Sequence, residues 1–167
     1  MKMDPVQALS IDEVFGMAER IEQNAVDFYT KAASLHARTA DVAFLKKLAA
    51  MEQEHRNRFA AMRAQLPPAS RVPPATAPYL HATLYLNTIA DAGGGEGTLS
   101  NATPLSATDT LVNLVCGAVR MELEAVAFYG AVKEAVPESA RSQVDLIIAE
   151  ECAHVVILVA ELRKLTA

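Results

Sequence analysis

A ten-residue segment occurs twice in this chain, and this internal repeat limits the possible folds more than any other feature of the sequence. Residues 20–29 and 120–129 match at six of ten positions, which are Arg, Glu, Ala, Val, Phe and Tyr. Each copy is followed by a Glu-x-x-His motif, at residues 52–55 in the first half and 151–154 in the second. The period is too long for a solenoid of small repeats. The sequence therefore predicts two copies of one helix pair, folded on each other with pseudo-two-fold symmetry.

Four segments show the hydrophobic periodicity of α-helices, and little period-two alternation indicates a sheet. Ser10 is a candidate N-cap of the first helix with Glu13 as its capping-box partner, and Thr108 is a candidate N-cap of the third. A chain of 167 residues, 51% of them hydrophobic, suits one domain with a full core. We predict an all-α, antiparallel four-helix bundle. Its helices cover about residues 10–37, 40–66, 108–136 and 139 to near the C-terminus.

The connections between these helices are unequal in length. The first and second helices are joined by a few residues, as are the third and fourth, and short joints make antiparallel neighbours. A long crossover of about residues 67–107 joins the second helix to the third, and it is long enough to run the length of the bundle. Within it we predict a short helix over 78–91 and a flexible break at 93–95. The crossover is either a strap or a gate.

Charge and composition exclude several classes of function. The net charge is -5 and no basic run occurs, which argues against nucleic acid as a partner. No segment reaches the ~18 consecutive apolar residues of a membrane span, and the first ten residues lack the apolar core of a signal peptide. Cys116 and Cys152 form no CxxC pair, so we expect a reduced, cytoplasmic setting and interpret both as core thiols.

The repeated acidic residues lie on faces that should be buried. Residues three apart share a helix face, so each Glu-x-x-His motif points its Glu and His the same way. Glu22 and Glu122 lie within the apolar stripes of their helices. Buried carboxylates facing one another repel and raise each other's pKa, whereas two divalent cations would cancel four negative charges. The sequence therefore predicts a dinuclear metal site. Its candidate ligands are Glu22, Glu52, His55, Glu122, Glu151 and His154.

Two assignments within this pattern have alternatives. Glu150 also shares a helix face with His154 and competes with Glu151 as the ligand, but its counterpart in the repeat is Met51, so symmetry favours Glu151. Tyr29 and Tyr129 lie seven residues after the first-helix glutamates, on the same face. They are either partners of the site or plain core residues.

Two helix pairs, each with a Glu and then Glu-x-x-His, resemble the ligand arrangement of ferritin-like dinuclear carboxylate proteins. The Glu-x-x-Ala-x-x-Phe-Tyr pattern is most similar to the rubrerythrin branch. The resemblance implies a bridging role for Glu52 or Glu151 and a terminal role for Glu22 and Glu122. It also implies that Tyr29 and Tyr129 each hydrogen-bond the opposite first-helix Glu. A homodimer or larger homo-oligomer is expected.

The sequence departs from the rubrerythrin pattern in three ways. It has no CxxC pairs of a rubredoxin module, so electrons would come from an external donor protein. Ala125 stands where rubrerythrins carry an additional Glu, and the symmetric set that remains resembles the ferroxidase site of bacterioferritins. Gln53 stands where bacterioferritins carry their haem-binding Met, so no haem is expected.

Three functions are compatible with these residues. Oxygen-rich ligands with imidazole suit iron or manganese, and zinc is a less favoured occupant. The first hypothesis is a non-haem di-iron oxidoreductase that reduces peroxide, in the manner of rubrerythrins. The second is a ferroxidase that oxidises ferrous iron with dioxygen or peroxide at the same site. The third is a metal-stabilised helical interaction module without turnover.

Overall fold

The computed structural model describes residues 9–71, 105–106 and 108–167, and these residues form an all-helical fold without strands. The predicted all-α four-helix bundle is confirmed. The predicted short helix over 78–91 and the predicted break at 93–95 lie outside the described residues. Two short 3-10 turns, Pro68–Arg71 and Glu138–Ala140, follow the second long helix and precede the fourth. The helices are α1 (Ile11–Leu35), α2 (Thr39–Ala64), α3 (Leu111–Ala135) and α4 (Arg141–Thr166).

Side-chain caps fix the starts of α1 and α3. The predicted capping box is present, because the Ser10 hydroxyl accepts from the Glu13 backbone N–H and the Glu13 carboxylate accepts from the Ser10 N–H. The cap predicted at Thr108 is wrong: α3 is capped by Thr110, which accepts from the N–H of Asn113. The Thr108 hydroxyl instead lies 2.9 Å from that of Ser106, in a turn that precedes the helix.

Contacts at one end of the bundle establish the helix directions. The Arg63 guanidinium, near the end of α2, pairs with Asp12 at the start of α1 at 2.9 Å. The N–H of Leu9, just before α1, donates to the carbonyl of Ala135, the last residue of α3. The ends of α2 and α3 therefore both lie beside the start of α1. These helices are about 38 Å long at ~1.5 Å per residue, so the end of α2 and the start of α3 lie at opposite ends of the bundle.

The core consists of two apolar clusters, one towards each end of the bundle. One includes Phe15, Phe59 and Ile147, and the other includes Phe28 and Leu158, so both draw on several helices. In α1 and α3 the two clusters are separated by a step of four positions, 21 to 25 and 121 to 125. In α2 and α4 they are separated by eleven, 48 to 59 and 147 to 158. The predicted ligands occupy these intervals, so they form a polar layer between the two clusters.

The two cysteines lie on the solvent-exposed faces of their helices. Cys116 and Cys152 are exposed free thiols, so their interpretation as core residues is wrong. Cys152 directly follows Glu151, and a step of one residue turns its side chain about 100° away from the buried face. None of the helices in the described ranges has the length and apolar composition that crossing a bilayer requires.

The capping box gives a test of the first helix boundary. We expect Ser10→Ala to lower the free energy of unfolding by about 1 kcal/mol, because it removes the acceptor for the Glu13 N–H. Ser142→Ala is the control, since Ser142 is exposed in the first turn of α4 and should change stability by no more than about 0.5 kcal/mol. Denaturant unfolding monitored by circular dichroism measures both. Equal effects of the two changes would contradict the assigned cap.

Candidate metal centre

All six predicted ligands are buried in the polar layer at the middle of the bundle. Each helix contributes to it: α1 and α3 each supply one Glu, and α2 and α4 each supply one Glu and one His. These positions sit one helical turn from core residues on the same face, so packing of the apolar clusters holds the polar side chains inside. Their exposed fractions are 1% for Glu22, 1% for Glu52, 9% for His55, 0% for Glu122, 2% for Glu151 and 2% for His154.

His154 lies at the centre of the carboxylates. Its Nδ1 is 2.8 Å from Oε1 of Glu122, 3.5 Å from Oε2 of Glu52 and 3.8 Å from Oε2 of Glu151. These three glutamates come from α3, α2 and α4 respectively, so one imidazole nitrogen brings together donors from three helices. Atoms this close can serve a common cation without rearrangement of the backbone.

The second histidine stacks on the first. The rings of His55 and His154 are 4.3 Å apart between centroids and inclined by 15°. The Nδ1 of His55 faces its own helix neighbour Glu52, with 3.8 Å between Nδ1 and Oε2. The two Glu-x-x-His motifs, 99 residues apart in the sequence, therefore meet face to face, as the repeat predicts.

These donors form two overlapping groups that could hold a metal ion. One group is Glu52, His55 and His154, and the other is Glu122, Glu151 and His154; within each, the ligand atoms lie within 4.8 Å of one another. Since His154 belongs to both, the donors form one continuous site. Glu22 is equally buried but is in neither group. The role of all six residues as ligands stays a prediction.

Burial keeps both histidines neutral. Burial, and next the neighbouring His55, lower the pKa of His154 from 6.5 to about 3. Burial also lowers the pKa of His55, against the opposing effect of the Glu150 charge. Neutral imidazoles present lone pairs to a metal, but they do not balance the charge of ionised carboxylates beside them. The residues therefore fit a metal centre both in donor chemistry and in charge.

Glu150 makes contacts with α2 that the sequence does not predict. Helix periodicity makes Glu150 an alternative to Glu151 as a ligand, but its carboxylate belongs to neither candidate metal group, and its Oε2 lies 3.4 Å from Nε2 of His55. Its other oxygen pairs with the guanidinium of Arg58. Glu150 thus contacts the side of the His55 ring that faces away from Glu52. Helix periodicity gave no signal for this contact, because it joins α4 to α2.

The two tyrosines of the repeat are completely buried, each packed edge-on against the preceding Phe. Tyr29 is 5.3 Å from Phe28 at 74° between ring planes, and Tyr129 is 5.2 Å from Phe128 at 70°. Tyr29 belongs to the apolar cluster that includes Met121 of α3, so it lies towards the opposite half of the repeat. The hydrogen bonds to the opposite glutamates that the resemblance implies stay a prediction.

Comparison of this chain with protein-family models, with curated proteins and with solved structures gives no match. The assignment of a metal centre therefore rests on the repeated motif and on the geometry of the side chains.

The lowered pKa of His154 makes the stability of the metal-free protein depend on pH. His154 stays neutral in the folded state down to about pH 3, whereas the unfolded chain takes up its proton near pH 6.5. Stability is therefore lost as the pH falls from 6.5, by at most about 1.4 kcal/mol per pH unit for one proton. We expect His154→Gln to remove this contribution.

The measurement is denaturant unfolding of both metal-free proteins between pH 7 and pH 4. The difference in unfolding free energy between wild type and His154→Gln should shift against the wild type as the pH falls. A constant difference across this range would show that His154 titrates alike in the folded and unfolded states.

Proposed function

We propose that this chain is a ferritin-like dinuclear metal protein, similar to rubrerythrins, that holds two iron ions and reduces peroxide with electrons from an external donor. The observation that carries the proposal is the polar layer between the two apolar clusters. In it one nitrogen of His154 lies 2.8 to 3.8 Å from three carboxylates of three different helices. A bundle held together only by apolar packing has no physical reason to bury such a set.

The six buried residues can be assigned as ligands of the two ions. Glu52 and His55 would hold one ion, and Glu151 and His154 the other, with Glu22 and Glu122 as terminal carboxylates. Carboxylate oxygens with imidazole suit iron or manganese, and zinc less well. Two ferrous ions held there would supply the two electrons that, with two protons, convert one hydrogen peroxide to two water molecules.

The protein itself contributes enclosure and orientation. The apolar clusters above and below the layer exclude bulk water and large solutes from the carboxylates, which strengthens electrostatic interactions inside. His55, the most exposed of the six at 9%, marks the side on which the layer comes closest to solvent. A substrate as small as peroxide or dioxygen would need only a narrow channel from solvent to the layer on that side.

A second candidate function has one observation in its favour. Ala125, at the position of the additional Glu of rubrerythrins, is 0% exposed and packs within an apolar cluster. No carboxylate reaches the layer from that position, so the set matches the symmetric ferroxidase arrangement. In this alternative, ferrous iron is the substrate and dioxygen or peroxide is the oxidant.

Oxidation rates discriminate these possibilities. The chain is loaded with ferrous iron without oxygen and mixed rapidly with hydrogen peroxide or with air-saturated buffer, while absorbance follows iron oxidation. We expect peroxide to oxidise the protein faster than dioxygen does. Glu122→Ala should slow the peroxide reaction by at least about 10-fold, since even outer contacts of metal ligands act on that scale. Glu124→Ala, exposed on the same helix, should leave the rate unchanged.

Other outcomes point elsewhere. Oxidation no faster with peroxide than with air, together with repeated turnover of added ferrous iron, would overturn the peroxidase proposal in favour of the ferroxidase. If Glu122→Ala changed only the melting temperature or association, the metal-stabilised interaction module would be the correct description.

A further inference from the structure

The two halves of the metal centre differ on the outer side of their histidines. The repeat aligns α2 with α4, so that His55 corresponds to His154. By the same alignment, the position of Glu150 in α4 is taken by Met51 in α2, and that of Arg58 is taken by Ile157. The residues that would hold the ions are therefore symmetric, but the residues around them are not.

The outer nitrogen of His55 faces a charged pair. Its Nε2 lies 3.4 Å from Oε2 of Glu150, which is 27% exposed in its side chain, and Arg58 pairs with the other oxygen of that carboxylate. The Nδ1 of the same ring faces Glu52. The imidazole is thus held between a carboxylate of the site on one side and an outer carboxylate on the other.

The outer nitrogen of His154 has a different environment. Its Nδ1 faces three carboxylates of the site, which leaves Nε2 as the outer atom. This Nε2 is buried and has no hydrogen-bond partner among the residues that the structure describes. Met51, which occupies the position equivalent to Glu150, cannot provide a carboxylate there.

An outer carboxylate changes how well a histidine binds metal. Accepting the proton of the outer nitrogen fixes the tautomer, orients the ring and makes the inner nitrogen more basic. Removing such a partner typically weakens metal affinity by about 10- to 100-fold. Glu150 lies 3.4 Å from the outer nitrogen of His55, and among the described residues no carboxylate lies at the equivalent place beside His154. The affinities of the two positions should therefore differ by up to a similar factor.

We propose that the two metal positions are unequal, that the position served by His55 fills first, and that Glu150 is the positioning residue responsible. This proposal rests on the dinuclear centre of the proposed function. In its support, the Glu150 side chain is held by Arg58 and so is oriented towards His55 before any metal arrives. The chain would pass through a state with one ion at the His55 position.

The experiment adds Co²⁺ alone to the metal-free full-length chain and follows binding by calorimetry and by visible absorption. Two steps are expected, separated by about 10- to 100-fold in dissociation constant. Glu150→Gln should weaken the first step by that factor and leave the second within about 3-fold. Met51→Glu, which gives His154 an equivalent carboxylate, should strengthen the second step.

Matched controls separate positioning from charge and folding. Glu54→Gln removes a carboxylate that is exposed and adjacent to His55 in the sequence but lacks the 3.4 Å contact, so both steps should stay within about 3-fold. Glu150→Asp should recover part of the lost affinity. The melting temperature of each metal-free variant shows whether it folds.

The outcomes distinguish this proposal from the proposed function. Two equal steps in the wild type, or equal weakening of both steps by Glu150→Gln, would overturn the inequality while leaving a dinuclear centre. Equal losses in Glu54→Gln and Glu150→Gln would reduce the effect to charge alone and overturn the positioning role. No Co²⁺ binding at all would overturn the dinuclear centre itself.

Discussion

Burial of several carboxylates at one level of a helix bundle is the constraint on which the rest of this structure depends. Four glutamates with exposed fractions of 0 to 2% share a layer with two histidines. The histidines have lowered pKa values and do not supply positive charge at neutral pH. Ionised carboxylates in such surroundings are costly unless cations balance them. Bound cations would supply that balance, whereas apolar packing alone gives no reason to bury these side chains.

The rest of the fold positions this layer. Apolar clusters on either side fix the rotation of each helix, so that the polar positions all face inward. Caps at Ser10 and Thr110 set where α1 and α3 begin, and the ion pair of Arg63 with Asp12 holds the ends of α1 and α2 together. The layer itself lowers the stability that the core could reach, because each carboxylate there occupies a position that an apolar side chain could have filled.

The sequence was informative where the signal is local or repeated. Helix periodicity predicts the four helices, and the duplicated motif predicts that the glutamates and histidines lie on buried faces. The sequence does not predict features that depend on contacts between helices or on the conformation of a single turn. The contact of Glu150 with His55 joins α4 to α2, and Thr108 and Thr110 are equally good capping residues until the turn at Ser106 is seen. The interpretation of Cys152 as a core thiol is wrong because one residue after the buried Glu151 the side chain points to solvent.

The most direct test of the central claim is the metal content of the freshly purified protein, measured by elemental analysis together with its visible spectrum. The proposed centre requires about two iron ions per chain and an absorption of ferric–oxo type that disappears on reduction. A protein that contains no metal, or one zinc ion per chain, and that cannot be loaded with iron would contradict it.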